Sequence, residues 1–388
     1  MFLWRLAQVF VVLLIIQIGV VSSGSPEADP AGVEPFSFLT GIDGVHQSQV
    51  VLAPDGTMLL VWVQKGTEGL DLFAATRTGS GSFSTPLRIN REPVNSYTGD
   101  EARPDVALGP DGAVAVAWTA GDMNMMVAVG NDHGRSFSAP VRLNQDGGEA
   151  ARTMPVVAFS SDGAVHAVWL DARDAPPRRE EPANLYYARI EGGSVKEHNL
   201  TASQKASVCG CCRPFIAIDH RNVVEIAFRN TTEDGYRDIF LIEGSAKGEF
   251  GRPRPASPPM WEIGGCPSVG PVLLDGLTLW KDGSKGFWRL LSASDPGAEP
   301  ATILKDREDE LTLTYAPRRV SGSENLVLVG GRPGGFILKR HDSGWDVVSD
   351  DLPEWASSAA LAGRRLVLVG NDEGRLRVEE VRLEMSDG

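Results

Sequence analysis

Along most of the chain the apolar positions follow one recurring phrase: an apolar strand, a tight turn, a second apolar strand and a closing aromatic. It reads Val50–Trp62 (VVLAPDGTMLLVW), Val106–Trp118 (VALGPDGAVAVAW), Val157–Trp169 (VAFSSDGAVHAVW) and Ile216–Phe228 (IAIDHRNVVEIAF), with a shortened fifth copy at Val272–Trp280 (VLLDGLTLW). The closing aromatics Trp62, Trp118, Trp169, Phe228 and Trp280 recur 51–59 residues apart. Repeats of about 40–50 residues that each hold several short strands are the signature of a β-propeller.

The second copy shows the unit most clearly. Alternating apolar residues at Pro104–Gly109 end at Pro110-Asp111-Gly112, where proline presets φ and glycine accepts φ > 0. Ala113–Thr119 and Met125–Gly130 read as the second and third strands, and Ala139–Asn144 as the fourth. Four antiparallel strands joined by short turns make one blade. The later chain keeps the strand pattern without the phrase. Leu311–Tyr315, Asn325–Gly330, Phe336–Arg340 and Trp345–Val348 would fill a sixth blade, and Ser358–Leu361, Leu366–Gly370 and Leu376–Leu383 three strands of a seventh. Pro35–Gly41 (PFSFLTG) is expected to supply the missing strand and close the ring, which removes exposed sheet edges. The expected fold is therefore an all-β propeller of seven four-stranded antiparallel blades, with six as the alternative.

The N-terminus has a different pattern. Arg5 precedes the short apolar run Val9–Val21, small residues follow at Ser22, Ser23 and Gly24, and a polar stretch leads into the repeats. Residues 1–24 thus read as a signal peptide, 25–33 as a linker and 34–388 as a single propeller domain. An uncleaved anchor is the alternative. The mature chain is expected in the periplasm or outside the cell, without a membrane span, where disulfides can form. Net charge is −14 and no Lys/Arg-rich block is present, which argues against nucleic acid as a partner.

The repeat register gathers loops on one face. Aligning Pro104 with Pro214 superposes Glu-Ala-Arg-Pro (101–104) on Cys-Cys-Arg-Pro (211–214), so Arg103 and Arg213 take equivalent places at the mouth of the ring. Arg229, Arg237 and Asp238 follow the fourth aromatic on that face. Converging guanidiniums would bind a carboxylate or other oxyanion through charge-assisted bonds; the alternative is that each pairs with an acid to tie blades together. The four cysteines share this face. Cys209 lies five residues before Pro214 and Cys266 five before Pro271, with Cys211 and Cys212 between. One reading is disulfides, a Cys209–Cys266 staple between blades leaving Cys211 and Cys212 adjacent. The other is a thiolate site for copper or zinc.

The octapeptide Gly130-Asn131-Asp132-His133-Gly134-Arg135-Ser136-Phe137 resembles the Asp box of sialidase-type propellers, a folding element in which the aspartate caps amides of its own turn. With the PDG turns, the chain resembles the sialidase (neuraminidase) superfamily from about residue 45 to 305. Cys209-Gly-Cys-Cys-Arg-Pro, Phe228-Arg229-Asn230, Arg237-Asp238-Ile239 and Trp261-Glu-Ile-Gly-Gly-Cys-Pro resemble an exported bacterial branch of it. The resemblance implies a propeller. For sialidases it also implies three carboxylate-binding arginines, a Tyr–Glu nucleophile and an aspartate acid/base. Here Pro35-Phe-Ser-Phe-Leu-Thr lacks the first arginine, and no spacing assembles a pair from the five tyrosines. The expectation is a ligand-binding protein for an anionic small molecule or glycan, with an exo-α-sialidase or related glycoside hydrolase as the alternative.

Overall fold

The computed structural model describes residues 42–383 apart from 80, 96–99, 148–149, 176–181, 205–206, 266, 275, 307–311, 314–315 and 333. The expected signal peptide and the closing strand at Pro35–Gly41 lie outside the described residues.

Every sheet is antiparallel and most are meanders, because each phrase joins neighbouring strands by a turn too short for a crossover. The first strands of successive sheets are Val45–Leu52, Asp105–Leu108, Arg152–Phe159, Phe215–Ile218, Pro271–Leu274, Arg318–Arg319 and Ala356–Ala362. They line one central cavity together. Apolar clusters fill the space between consecutive sheets, and the closing aromatics show how. Trp118 packs with residues of the first copy, Trp169 with the second, Phe228 with the third and Trp280 with the fourth. Trp62 packs against Ala360, Val367, Val369 and Leu376 of the last sheet, so the array returns on itself. Burying each ring is worth roughly 1.5–3 kcal/mol, which explains why one large apolar side chain recurs per repeat.

The ring edge is also sealed by polar contacts. Asn371 Nδ2 donates to the Val45 carbonyl (2.8 Å), the Val50 amide donates to Ser358 Oγ (3.1 Å), and Arg77 pairs with Glu380. The Leu376 amide donates to the Ile42 carbonyl (3.2 Å), which lays the N-terminal segment beside Arg375–Arg382.

Several elements differ from expectation. The Asp-box segment does form the turn after Met125–Asn131, but three consecutive residues, Asp132, His133 and Gly134, have positive φ. The Asp132 carboxylate meets the Arg135 guanidinium (3.2 Å to both oxygens), where turn amides were expected. The fourth strand of this copy splits into Ser136–Phe137 and Val141–Arg142. In the sixth repeat the inner strand is Arg318–Arg319; Thr312–Leu313 instead pairs with Gly331–Arg332 outside that sheet. Finally, Ser207–Cys209 forms a strand between Pro182–Ala183 and Asn230–Thr231, joining the third and fourth sheets. Among the described residues no helix is long and apolar enough to cross a membrane.

Candidate functional site

A cavity of about 490 Å³ runs along the ring axis between the inner strands. Its charged lining is concentrated where those strands begin, at Glu101, Arg103, Asp105, Arg213 and Arg318, with Arg319 further along.

Arg213 is buried and its bonds are spent on protein. Nη1 donates to the carbonyls of Glu101 (2.9 Å) and Arg103 (2.7 Å), Nη2 to the carbonyl of Pro155 (2.7 Å), and Nη2 pairs with Asp105 (3.0 Å). One guanidinium therefore ties the fourth repeat to the beginnings of the second and third inner strands. Glu101 completes the clip: its Oε2 accepts the amides of Arg213 (3.2 Å) and Gly270 (3.3 Å). The close approach needs glycine at 270, since a Cβ there would stand 2.1 Å from the Arg213 carbonyl oxygen.

Arg103 is placed differently. It is part-exposed to the channel, yet burial, followed by the nearby Arg318 and Arg213 guanidiniums, pushes its pKa down to about 9. The cause is desolvation plus like charge, both of which disfavour the cation. Arg318, reaching the Ser357 carbonyl from the sixth repeat, is the third member of this positive cluster. Sequence reasoning did not single it out, because that repeat has lost the phrase that sets the register.

Arg229, Arg237 and Asp238 lie away from the channel lining and organise the loop at 260–270. Arg229 is buried; it donates to the carbonyls of Val269 (3.1 Å), Arg237 (2.6 Å) and Lys281 (3.1 Å) and lies over the Trp261 ring, 5.0 Å from its centroid. Asp238 accepts the amides of Met260 (3.0 Å) and Trp261 (3.2 Å), and the Arg237 amide donates to the Trp261 carbonyl (2.8 Å). Trp261 meets Trp288 edge-on, with centroids 5.6 Å apart, and the Lys281 ammonium caps Trp288 at 3.9 Å. In the fourth and fifth repeats the motif residues thus hold one loop down.

The cysteines sit beneath that loop. The sulfurs of Cys209, Cys211 and Cys212 form a buried triangle: 3.5 Å from Cys209 to each of the others and 4.0 Å between Cys211 and Cys212. Cys209 and Cys212 are free thiols, whereas Cys211 is disulfide-bonded. This corrects the expected Cys209–Cys266 staple; Cys266 itself lies outside the described residues. The strand pairing of Ser207–Cys209 fixes Cys209 and the following turn brings Cys212 back onto it, its amide donating to the Cys209 carbonyl (3.4 Å). With Cys211 in a disulfide, two of these three sulfurs are available as thiols. The hydrogen bond shared with Cys212 draws the Cys209 pKa down against the effect of burial, helped by Arg229 and Arg237; burial pushes Cys212 up.

Tyr236 is held at a hairpin, where its amide donates to Thr232 Oγ1 (3.1 Å) and its backbone bridges Glu262. Tyr315 lies outside the described residues.

No family model matches the chain, and no curated protein matches it in sequence. Among solved structures, an ulvan lyase of polysaccharide lyase family PL25 bound to -[GlcA(1-4)Rha3S]- is similar at 10% identity, with a TM-score of 0.52 over 88% of this chain and 94% of its own. The fold is a β-propeller. A puromycin-hydrolyzing peptidase of Mycobacterium tuberculosis matches the propeller at 14% identity and a TM-score of 0.53, over 89% of this chain and 54% of its own. This propeller therefore spans about half the length of that peptidase. A Hadza microbial sialidase is similar at 11% identity and a TM-score of 0.47, over 84% of this chain and 76% of its own. At such identities the likeness is one of fold.

Proposed function

We propose that this chain is an exported seven-bladed propeller that binds an anionic ligand, an acidic glycan or a fragment of one, at the mouth of its axial channel. The observation that carries the reading is the convergence of Arg103, Arg213 and Arg318 on one 490 Å³ cavity. The ligand is assigned to Arg103 and Arg318, which line the cavity beside the buried Arg213. An anion there would relieve the like-charge repulsion that depresses Arg103, and would gain bonds in a poorly solvated place. Such a role is consistent with the lyase of the same fold, whose bound segment carries a uronate and a sulfated sugar. Arg229, Arg237 and Asp238 act in this reading as supports of the mouth.

Seven blades are supported by the seven first strands that line the cavity and by the apolar clusters linking last to first. Export is supported by the N-terminal pattern and by the disulfide at Cys211.

Calorimetric titration of the purified chain with uronate-bearing, sulfated and neutral oligosaccharides tests the binding. Acidic ligands are expected to bind and neutral ones not. Arg103→Gln and Arg318→Gln should each weaken binding about tenfold or more, since a charge-assisted bond is worth about 1.5–3 kcal/mol. Equal binding of the neutral series, or unchanged affinity in both variants, would overturn the assignment. Release of sugar or of an unsaturated product during the titration would identify the protein as an enzyme instead.

A further inference from the structure

The cysteine triangle has no part in anion binding, and its arrangement is that of a reaction rather than of a staple. Cys209 Sγ is a free thiol 3.5 Å from Cys211 Sγ, which already belongs to a disulfide. This is van der Waals contact between an attacking sulfur and the atom it would attack. The Arg237 Nη1 group lies 3.5 Å from Cys209 Sγ, and Arg237 Nε, also buried, has no hydrogen-bond partner among the described residues. A guanidinium aimed at sulfur in a dry pocket favours negative charge on that sulfur. All three cysteines are at most 7% exposed, so small thiols from solution have little access.

We propose that these residues form an internal thiol–disulfide exchange centre in which Cys209 attacks the Cys211 disulfide. The Cys209 thiolate donates its electron pair to Cys211 Sγ, a Cys209–Cys211 bond forms, and the old disulfide breaks. Its electron pair leaves on the sulfur of the former partner, which takes up the proton Cys209 gave away. One disulfide is present before and after, so no outside oxidant or reductant is needed. The exchange moves the covalent tie. In one state Cys211 keeps its present partner, and in the other the link is local to the turn at 209–213. Because Arg213 follows Cys212 directly, the segment freed or held is the one that reaches across the channel mouth.

Peptide mapping tests this. The native chain is quenched in acid, denatured, alkylated at low pH and digested with trypsin, which does not cut between Arg213 and Pro214 and so leaves Cys209, Cys211 and Cys212 in one peptide, residues 206–221. Two species are expected: that peptide cross-linked to another, and the same peptide closed by an internal disulfide. The internal disulfide should persist in Cys212→Ser, which places it between Cys209 and Cys211, and should be lost in Cys209→Ser. Only the cross-linked species in both wild type and Cys212→Ser would overturn the proposal, without requiring the Cys209 variant to fold. An internal disulfide that survives in Cys209→Ser would overturn it as well.

Discussion

Single buried residues of this propeller show how a charge or a proton is accommodated. His166 lies on the second strand of the third repeat, where its ring nitrogens bond Tyr187 Oη (2.7 Å) and Ser160 Oγ (2.9 Å). Burial, then the nearby Arg189, pushes its pKa down to about 4 from an ordinary 6.5. Above pH 6.5 the imidazole is neutral folded or unfolded. As pH falls from 6.5 towards 4 the unfolded chain takes up a proton that the folded chain refuses, so stability is lost through that window. The loss is on the order of 3 kcal/mol. Urea midpoints measured between pH 7 and 4 should fall in the wild type, and His166→Gln should flatten that part of the slope. Arg213 and Arg103 make a second contrast. Arg213→Met strands three carbonyls and Asp105 and should cost about 2–4 kcal/mol; Arg103→Gln relieves the like charge of Arg318 and Arg213 and should lower the urea midpoint less than Arg213→Met does. Both arginines could be placed at the mouth from the prolines that follow them. That Arg213 is spent on main-chain carbonyls could not, because those carbonyls belong to other repeats.

At the level of elements, the turn between the first two strands of each repeat shows what the chain conserves physically. Gly56, Gly112 and Gly163 carry φ of 82°, 74° and 82°, and in the fourth repeat Asn222 takes the place at 62°. His220-Arg221-Asn222 therefore makes the same kind of turn as Pro-Asp-Gly, since asparagine tolerates the left-handed region better than most side chains. Asp219 fixes it by accepting the amides of Arg221 (2.9 Å) and Val223 (2.8 Å). Asn222 also exchanges bonds with Ser161, whose amide donates to Oδ1 (2.9 Å) while Nδ2 donates to Ser161 Oγ (2.7 Å). In denaturant titrations Asn222→Gly should lose about 1 kcal/mol through those bonds. Asn222→Val should lose about 1–2 kcal/mol more through the turn itself. Turns and second strands were legible because their chemistry is local. The Arg318–Arg319 strand was not, since two residues define no period, and neither was Ser207–Cys209, which exists only because two other sheets leave a gap for it.

For the whole molecule the question is how a ring of weakly similar sheets stays closed. Val45–Leu52 is the edge strand of its own sheet, and a chain ending after Leu352 would leave its apolar residues and its edge uncovered and open to another molecule. The last sheet covers that strand with apolar residues from Ala360 to Val378 and with the bond from Ser358. Asn371 clamps its start through the carbonyls of Val45 (2.8 Å) and His46 (3.4 Å). Closure therefore rests on contacts between residues about 300 positions apart, which no local pattern announces; the roughly regular spacing of the aromatics was the one global sign of it. Two graded variants are expected to separate the polar clamp from the apolar cover. Asn371→Ala should lower the unfolding free energy by about 1–3 kcal/mol, the cost of a buried carbonyl left unpaired, while keeping one cooperative transition. A chain ending at Leu352 loses the cover altogether. In light scattering it should self-associate, and its denaturation should spread over a broader range, because each remaining sheet then has only its neighbours to hold it. A monomeric truncated chain with an unchanged, sharp transition would show that the first and last sheets do not depend on one another, and that the ring is held blade by blade.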